Sequence, residues 1–362
     1  MRWRSSPPRS DGDEVETLDA VEVPIRRLDD GLLAASLVRA SGPSPRRRPP
    51  HRAVPAADVS VLVPVHLGPD SGARDALGHA VRAAAESRRA GRLVAVDEVG
   101  ADPRASALLA LLEPEIVILA SGMLTRRADS DVAPTLHAVA AHVERTGAVL
   151  VADGVDSLRH RRRALELGAT HGLGRLYPPA LRAEPAERFP PSPTWSTPDV
   201  ETPTPYATVA SGRVPVRSTE HLLARMTATL EAHAATAGPD TLVLGTFRHL
   251  DHFCASTRSR WSGMAGGVAH AGAYAVGMKA GVESGVVHTP LDPADPLAAE
   301  WNVVVLGAHF AGVLSAVSTH HRHPAGDREF DYVVSYDRPT VVRCARSILR
   351  RGPSPAARRG TG

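Results

Sequence analysis

The stretch Val149-Leu-Val-Ala-Asp-Gly-Val-Asp-Ser157 decides our interpretation of the fold. Its first four residues are apolar and predict a short buried strand, and Asp153 and Asp156 follow in a turn. The charged segment 157–167 then predicts a helix that ends at Gly168. This order of strand, acidic turn and helix is typical of a βα unit, in which the loop after the strand carries the chemistry.

A second acidic strand end lies upstream, in Leu93-Val-Ala-Val-Asp97-Glu98-Val-Gly100, where two acids follow an apolar run. Loops at the carboxyl ends of parallel strands share one face of a sheet, so Asp97, Glu98 and Asp153 are predicted to face one another. Short polar residues after strands also serve as helix N-caps. That role remains open for Asp97, Asp153 and Asp156.

These segments resemble the EAL-type cyclic di-GMP phosphodiesterases. "VAVDEVG" is similar to the Asp-Asp-Phe-Gly segment of that family, and "VADGVDSLRHRRRALELGATHGLGRLYPPA" to its Ala-Glu-Gly-Val-Glu segment with the Gln-Gly strand. "LEPEIVILASGML" occupies the place of the Lys-Ile-Asp strand, and "GLLAASLVRAS" resembles the strand that names the family. The resemblance implies an incomplete TIM-like βα barrel, within an α/β fold class, and a site where two divalent cations activate a water.

Most residues that such a site requires are replaced. The resemblance implies that Ala35 stands in place of the naming glutamate and His66 in place of the asparagine. Ile118 and Ala120 replace the lysine and the aspartate after it, and Leu173 replaces the glutamine. Asp97 is retained, whereas Glu98 and Asp153 are acids of altered length. The chain between Leu37 and Asp97 is also too short for one βα unit that the resemblance implies.

We therefore predict that the first domain is catalytically inactive, with no catalytic residue, metal or cofactor. Its vestigial ligand pocket would be formed by Asp97, Glu98, Asp153 and His66, with cyclic di-GMP as the candidate ligand and a downstream signalling protein as the partner. The alternative is an active phosphodiesterase that depends on Mg²⁺ or Mn²⁺, which requires replacement ligands elsewhere in the chain.

The second half follows residues 182–205, which are rich in Pro, Ser, Thr and Glu and predict a semi-rigid linker. "TFRHLDHFCASTRSRWSGMA", "DPLAAEWNVVVLGAHFAGVLSAVS" and "REFDYVVSYDRPTVVRCARSILR" resemble the DICT sensory domain over residues 206–350. The resemblance implies a second mixed α/β domain with a sensory role and no defined ligand. Arg258, Trp261 and Trp301 are predicted to line a small apolar pocket, and a purely structural role in the core is the alternative.

Composition excludes several other classes of protein. The two cysteines lie outside any C-x-x-C motif, which predicts reduced thiols. The sequence shows no apolar leader and no apolar run of membrane length, so we predict a soluble, cytoplasmic protein. The blocks 46–48 and 161–163 are all arginine, but no aromatic residue is interleaved with them, so nucleic-acid binding is not predicted. His320, His321 and His323 lack acidic or cysteine partners at ligand spacing, so no metal is predicted there. Residues 1–17 and 351–362 are predicted to be flexible tails around the domains 18–181 and 206–350.

Overall fold

The structure is a computed structural model that describes residues 20–40, 59–62, 71–127, 132–178, 203–323 and 327–351. It contains two mixed sheets with helices packed on them, which confirms the predicted mixed α/β class. No helix in these ranges is long and apolar enough to cross a membrane.

The first sheet has seven strands in the order β2-β1-β7-β6-β5-β4-β3. The strands are β1 (Ala20–Arg27), β2 (Leu33–Ala40), β3 (Val59–Leu62), β4 (Leu93–Val99), β5 (Ile116–Leu119), β6 (Val149–Asp153) and β7 (His171–Leu173). The helices between them are α1 (Ser71–Arg89), α2 (Ala107–Leu112), α3 (Val132–Thr146) and α4 (Leu158–Glu166). Strands β3 to β7 are parallel, as the alternation of strands and helices predicts, whereas β1 runs antiparallel to both of its neighbours.

The first sheet is curled but open. Its two edge strands, β2 and β3, approach each other, although no hydrogen-bonded ladder joins them within the described residues. The structure is therefore a half-barrel, and a TIM-like barrel stays a prediction. The parallel strands deliver the carboxyl ends of β4, β5 and β6 to one rim.

The second sheet has eight strands in the order β11-β12-β10-β9-β13-β14-β15-β8. The strands are β8 (Val216–Thr219), β9 (Leu242–His249), β10 (His270–Val276), β11 (Gly281–Glu283), β12 (Val286–Pro290), β13 (Glu300–Leu306), β14 (Ala311–Arg322) and β15 (Arg328–Ser335). The helices are α5 (Pro205–Ala210), α6 (Glu220–Ala234), α7 (Ala255–Ala265) and α8 (Arg338–Leu349). Helices α6 and α7 pack on one face of this sheet, and α5 and α8 on the other.

One hydrophobic core joins the two halves of the molecule. It includes Leu77 of α1 and Leu108 of α2 from the first half, and Val304 of β13 and Ile348 of α8 from the second. Helix α8 thus lies between the first half and the second sheet. The halves are not independent bodies joined only by the linker, of which residues 182–202 lie outside the described ranges.

Local sequence patterns in the second half predict a helix over 250–257, Ser218 as the N-cap of the helix after it, and small-residue packing of the glycine-rich segment 263–285, and the structure differs from each of these predictions. A short helix was predicted over 250–257, but a 3-10 turn spans Leu250–His252 and α7 begins at Ala255, because buried Phe253 interrupts the helical path. The N-cap of α6 is Thr219 rather than Ser218, since 216–219 form strand β8 against β15. Strands β8, β11 and β12 and helix α5 were not predicted; β11 lies within the glycine-rich segment, and β12 directly follows it.

Candidate ligand site

A β-bulge shapes the end of β4. Val96 pairs with Val117 of β5, but the next pair is Val99 with Leu119, so β4 holds one extra residue. Glu98 has φ 58°, the left-handed region that side chains other than glycine rarely adopt. A bulge of this kind redirects side chains and is common beside functional sites. Here it breaks the alternation that would send Asp97 and Glu98 to opposite faces.

Three carboxylates converge at this rim, as the sequence predicts. One ligand atom from each of Asp97, Glu98 and Asp153 lies within 4.8 Å of the other two. Asp97 is buried at 5% exposure, Asp153 is half-buried and Glu98 is exposed. Strand β5 runs between β4 and β6, and at this level it carries only the methyl group of Ala120, so the acids on either side can meet.

Backbone N–H groups hold two of these acids in place. The amide of Glu98 donates to Asp97 Oδ1 at 2.8 Å, and the amide of Gly154 donates to Asp153 Oδ1 at 2.7 Å. Gly154 has φ 77°, and a Cβ there would lie 2.7 Å from the Cβ of Ser121. The residue after Asp153 is therefore glycine because both the conformation and the space require it.

Other residues perform the capping role that was left open for these acids. Ser157 caps α4 by accepting from the amide of His160, and Asp102 caps the 3-10 turn Pro103–Ser106 that follows β4. Asp156 instead accepts from the amide of Arg175 at 2.8 Å and pairs with the guanidinium of that residue at 2.7 Å. This hydrogen-bonded guanidinium holds the pKa of the Asp156 carboxyl below its usual range. Asp156 therefore locks the loops after β6 and β7 together and lies outside the cluster of three acids.

The strand face below the acids is aliphatic. Ala35, Ile118 and Leu173, which stand where the resemblance implies polar ligands, are all buried in one small hydrophobic cluster. Ile25, Ile116 and Val151 belong to the same cluster. This face supplies no polar side chain to a bound group from those positions. His66, the fourth residue of the predicted pocket, lies outside the described residues.

The donor set fits one hard divalent cation. Carboxylate oxygens are the ligands that Mg²⁺, Ca²⁺ and Mn²⁺ prefer. Asp97, Glu98 and Asp153 would hold such an ion, which would supply positive charge at this rim for a phosphate. The replacements at Ala35, Ile118 and Leu173 leave a much poorer donor set than the two-cation site that the resemblance implies.

The residues predicted to form a sensory pocket lie in an aromatic cluster of the second half. Trp261 is fully buried, and its Nε1 donates to Glu231 Oε1 at 2.9 Å. Arg258 lies over the ring of Phe253 at 5.6 Å, and that ring contacts Trp261 edge-on. Trp301 is half-buried against the ring of Phe330, at 5.8 Å between centroids. Of the three, Trp261 is closed to solvent and Trp301 remains partly accessible.

The sequence did not reveal the feature that brings the acids together. Strict alternation along β4 places neighbouring residues on opposite faces, and only the adjacent acids before Gly100 gave any indication of an irregular strand end. The left-handed conformation at Glu98 depends on tertiary contacts, and a glutamate at that position does not predict it.

Comparison with known proteins matches part of the second half to a family. Residues 207–318 match the family model of DICT, "Sensory domain in DIguanylate Cyclases and Two-component system". The chain therefore contains a DICT sensory domain, and the match ends within β14, before β15 and α8. Among solved structures, an EAL domain protein from Listeria monocytogenes EGD-e is a weak match, with 10% identity and a TM-score of 0.29 over 44% of this chain and 87% of that chain. No curated protein matches this chain.

Proposed function

We propose that this chain is a non-catalytic signalling protein. Its DICT domain receives a signal, and its EAL-like first half binds cyclic di-GMP or a downstream protein to an extent that depends on that signal. One observation carries the proposal: three acids converge at the strand ends above a face where Ala35, Ile118 and Leu173 are buried aliphatic residues. The rim can attract a ligand, but the groups beside it are unsuited to phosphodiester chemistry.

Electrostatics indicates how a nucleotide would bind. Three carboxylates repel a phosphate, so they favour cyclic di-GMP only when a divalent cation neutralises them. Hydrolysis would require two further components, a second cation and a polar residue that activates a water. Ile118 and Leu173 have no atom that holds a cation or moves a proton. Binding without turnover is therefore the expected behaviour.

The junction at α8 supports coupling between the halves. Arg346 of α8 donates from Nε to the carbonyl of Leu111 at 2.8 Å and from Nη2 to Glu113 Oε2 at 3.1 Å. Burial lowers the pKa of Arg346 to about 10. Partly buried, charge-assisted contacts of this kind have strict geometry, so a shift of α8 would also move α2 or break these contacts. A signal changes ligand affinity only if it favours one of two such arrangements.

A second contact of the same type strengthens the junction. Arg145 of α3 and Arg338 of α8 both donate to the carbonyl of Ala308, at 2.9 and 3.1 Å. Burial, together with the charge of Arg145, lowers the pKa of Arg338 to about 10. Gly78 of α1 allows close approach, since a Cβ there would lie 2.8 Å from the carbonyl oxygen of Leu349. The two halves therefore meet through both polar and close-packed contacts.

The test is a calorimetric titration of the full chain with cyclic di-GMP in Mn²⁺ or Mg²⁺, followed by chromatography of the mixture. We expect heat of binding that requires the cation, with no linear or cleaved product. Asp97→Asn should weaken binding by about tenfold or more, because it removes a charged ligand of the cation. Asp156→Asn is the matched control, since Asp156 lies on the same rim but pairs with Arg175.

The second candidate function is a metal-dependent phosphodiesterase. The convergence of Asp97, Glu98 and Asp153 favours it, because metal hydrolases use such carboxylates. Turnover in the same experiment would establish it and would overturn the non-catalytic proposal. Absence of heat at all cation concentrations would exclude the nucleotide and leave binding of a protein partner as the remaining form of the proposal.

A further inference from the structure

A second bulge lies at the end of β9 in the DICT domain. Tyr274 of β10 pairs with Thr246, but the next pair is Val276 with His249, so β9 holds one extra residue. Arg248 has φ 54°, again the left-handed region. A residue other than glycine in this conformation costs roughly 1–2 kcal/mol. Such strain persists where the surrounding structure imposes it, and it is concentrated at ligand sites.

His252 and Arg328 are at the same strand end. Nδ1 of His252 lies 3.1 Å from the carbonyl oxygen of Phe247. A carbonyl oxygen can only accept, so Nδ1 carries the hydrogen. Nε2 of the neutral ring then accepts from Arg328 Nη1 at 3.5 Å. This long contact places the guanidinium of Arg328 beside the turn that follows β9.

Arg248 has no such partner. Its guanidinium makes no hydrogen bond and no ion pair with any residue that the structure describes, and its Nε is fully enclosed. Burial and the charge of Arg328 both lower the pKa of Arg248, while Glu220 acts in the opposite direction without pairing with it. Burial and Arg248 also lower the pKa of His252, which agrees with a neutral ring. The strand end therefore carries excess positive charge that is partly removed from water.

We propose that Arg248 and Arg328, with His252 as a positioning residue, bind a carboxylate or phosphate group of a small molecule. A guanidinium presents two parallel N–H donors that match the two oxygens of either group. The anion would bind the Nη groups of the two guanidiniums, since only Nε of Arg248 is enclosed, and would balance the excess charge. This gain is the physical reason for a strained, half-buried arginine that has no hydrogen-bond or ion-pair partner among the described residues.

A half-buried tryptophan lies on β13, the strand paired with β9. Trp301 is the cross-strand partner of Phe247, the residue before Arg248, and it is half-buried. Its accessible edge can contact the apolar part of a ligand whose anionic group lies on the arginines. The inference rests on the proposed sensory role of the DICT domain and identifies the class of ligand that it would sense.

The experiment measures thermal unfolding of the full chain against inorganic phosphate and, separately, acetate, at constant ionic strength. A ligand that binds only the folded state raises the unfolding temperature in a saturable way. Arg248→Asn removes the guanidinium but tolerates the left-handed conformation, and Arg343→Gln, an exposed arginine of α8 on the other face of the sheet, is the control.

We expect phosphate or acetate to stabilise the wild type and Arg343→Gln, and the more effective anion identifies the ligand group. Arg248→Asn should bind that anion at least about tenfold more weakly. Without anion it should be as stable as the wild type or more so, which separates lost binding from misfolding. Equal anion affinity in Arg248→Asn and wild type, or no saturable effect of either anion, would overturn the inference.

The outcomes for this site and for the proposed function remain distinguishable. Phosphate or acetate binding that leaves the cyclic di-GMP titration unchanged would support the site and contradict coupling between the halves. Loss of anion binding in Arg248→Asn with an unchanged cyclic di-GMP affinity would show that the nucleotide does not occupy the site on β9.

Discussion

The ends of β4 and β9 share a β-bulge but carry opposite charges. Each strand is parallel to a neighbour, holds one extra residue near its end, and has a left-handed residue as its last but one, Glu98 in β4 and Arg248 in β9. The bulge presents consecutive side chains to one rim, which an ordinary strand cannot do. The backbone therefore creates the site in each half, and the side chains determine which ligands it can attract.

The two ends differ in how their charges are satisfied. Asp97 and Asp153 accept from backbone amides next to them, so the acid cluster is held by its own loops. Arg248 has no partner among the described residues, and its Nε is enclosed. The acidic end can persist without a ligand, whereas the cationic end gains directly from one. This difference agrees with our proposal that the DICT domain receives the signal, since an anion would balance the charge of its partly buried arginines.

The largest expected effect tests how rigidly the acidic end is built. In Gly174→Ala, the new Cβ would lie 2.5 Å from the nitrogen and 2.6 Å from the carbonyl carbon of Val155, and Gly174 has φ 153°. Backbone atoms cannot move aside as a side chain can, so we expect a loss of about 4 kcal/mol in the free energy of unfolding, from overpacking and backbone strain together. Urea denaturation measures this loss.

Two further variants complete that test. Gly122→Ala introduces a Cβ with nothing within 4 Å and should change the stability by less than about 0.5 kcal/mol. Gly245→Ala, in β9, would place a Cβ 2.7 Å from the buried Trp261 ring, but it meets side-chain rather than backbone atoms and has no positive φ, so its cost should be smaller than that of Gly174→Ala. A greater loss for Gly245→Ala would show that the cationic end is the more rigid of the two.

A second, smaller effect tests whether the two regions unfold together. His142 of α3 is buried at 1% exposure, and its Nε2 donates to the carbonyl of Pro114 at 2.9 Å. Burial, reinforced by the charges of Arg145, Arg338 and Arg88, lowers the pKa of His142 to about 4. The unfolded chain then binds more protons than the folded one between about pH 6.5 and 4. Stability is fully present above this window and is lost as the pH falls through it, by about 3 kcal/mol at the lower end.

The measurement is the free energy of unfolding from pH 7 to pH 4, in the wild type and in His142→Gln. The variant should lose less stability over this range, because its side chain does not titrate. A shared core that includes Leu108 and Ile348 predicts a single transition in which both halves unfold. Two separate transitions, with the DICT domain unaffected by pH, would contradict the shared core.

The fold and part of the acid site could be predicted from local patterns. Apolar runs before Asp97 and Asp153 predicted β4 and β6, and the shared rim of parallel strands predicted that these acids meet, as they do. Long-range pairing determines the remainder. The bulges at Glu98 and Arg248 depend on the register against β5 and β10, and α8 fills the junction through contacts with residues more than two hundred positions away. Such features leave no periodic pattern in the sequence, so the cationic end of β9 was not predicted.

The smallest expected effect compares the two bulges directly. At a left-handed position, alanine is less favourable than glycine by roughly 1–2 kcal/mol, since only the Cβ clashes. Glu98→Gly should therefore be more stable than Glu98→Ala by about 1 kcal/mol, and Arg248→Gly more stable than Arg248→Ala by a similar amount. At Arg343, inside α8, the order should reverse by about 1 kcal/mol, because glycine weakens a helix. Urea denaturation of the six variants measures all three differences.

The sign of these differences separates backbone from charge. If the same bulge underlies both sites, glycine is favoured over alanine at both positions although the removed side chains have opposite charges. If alanine matches glycine at one of them, that strand end relaxes out of the left-handed conformation once its charged side chain is gone. The side chain would then hold the bulge in place, and the rule that backbone creates the site while charge selects the ligand would fail for that half of the molecule.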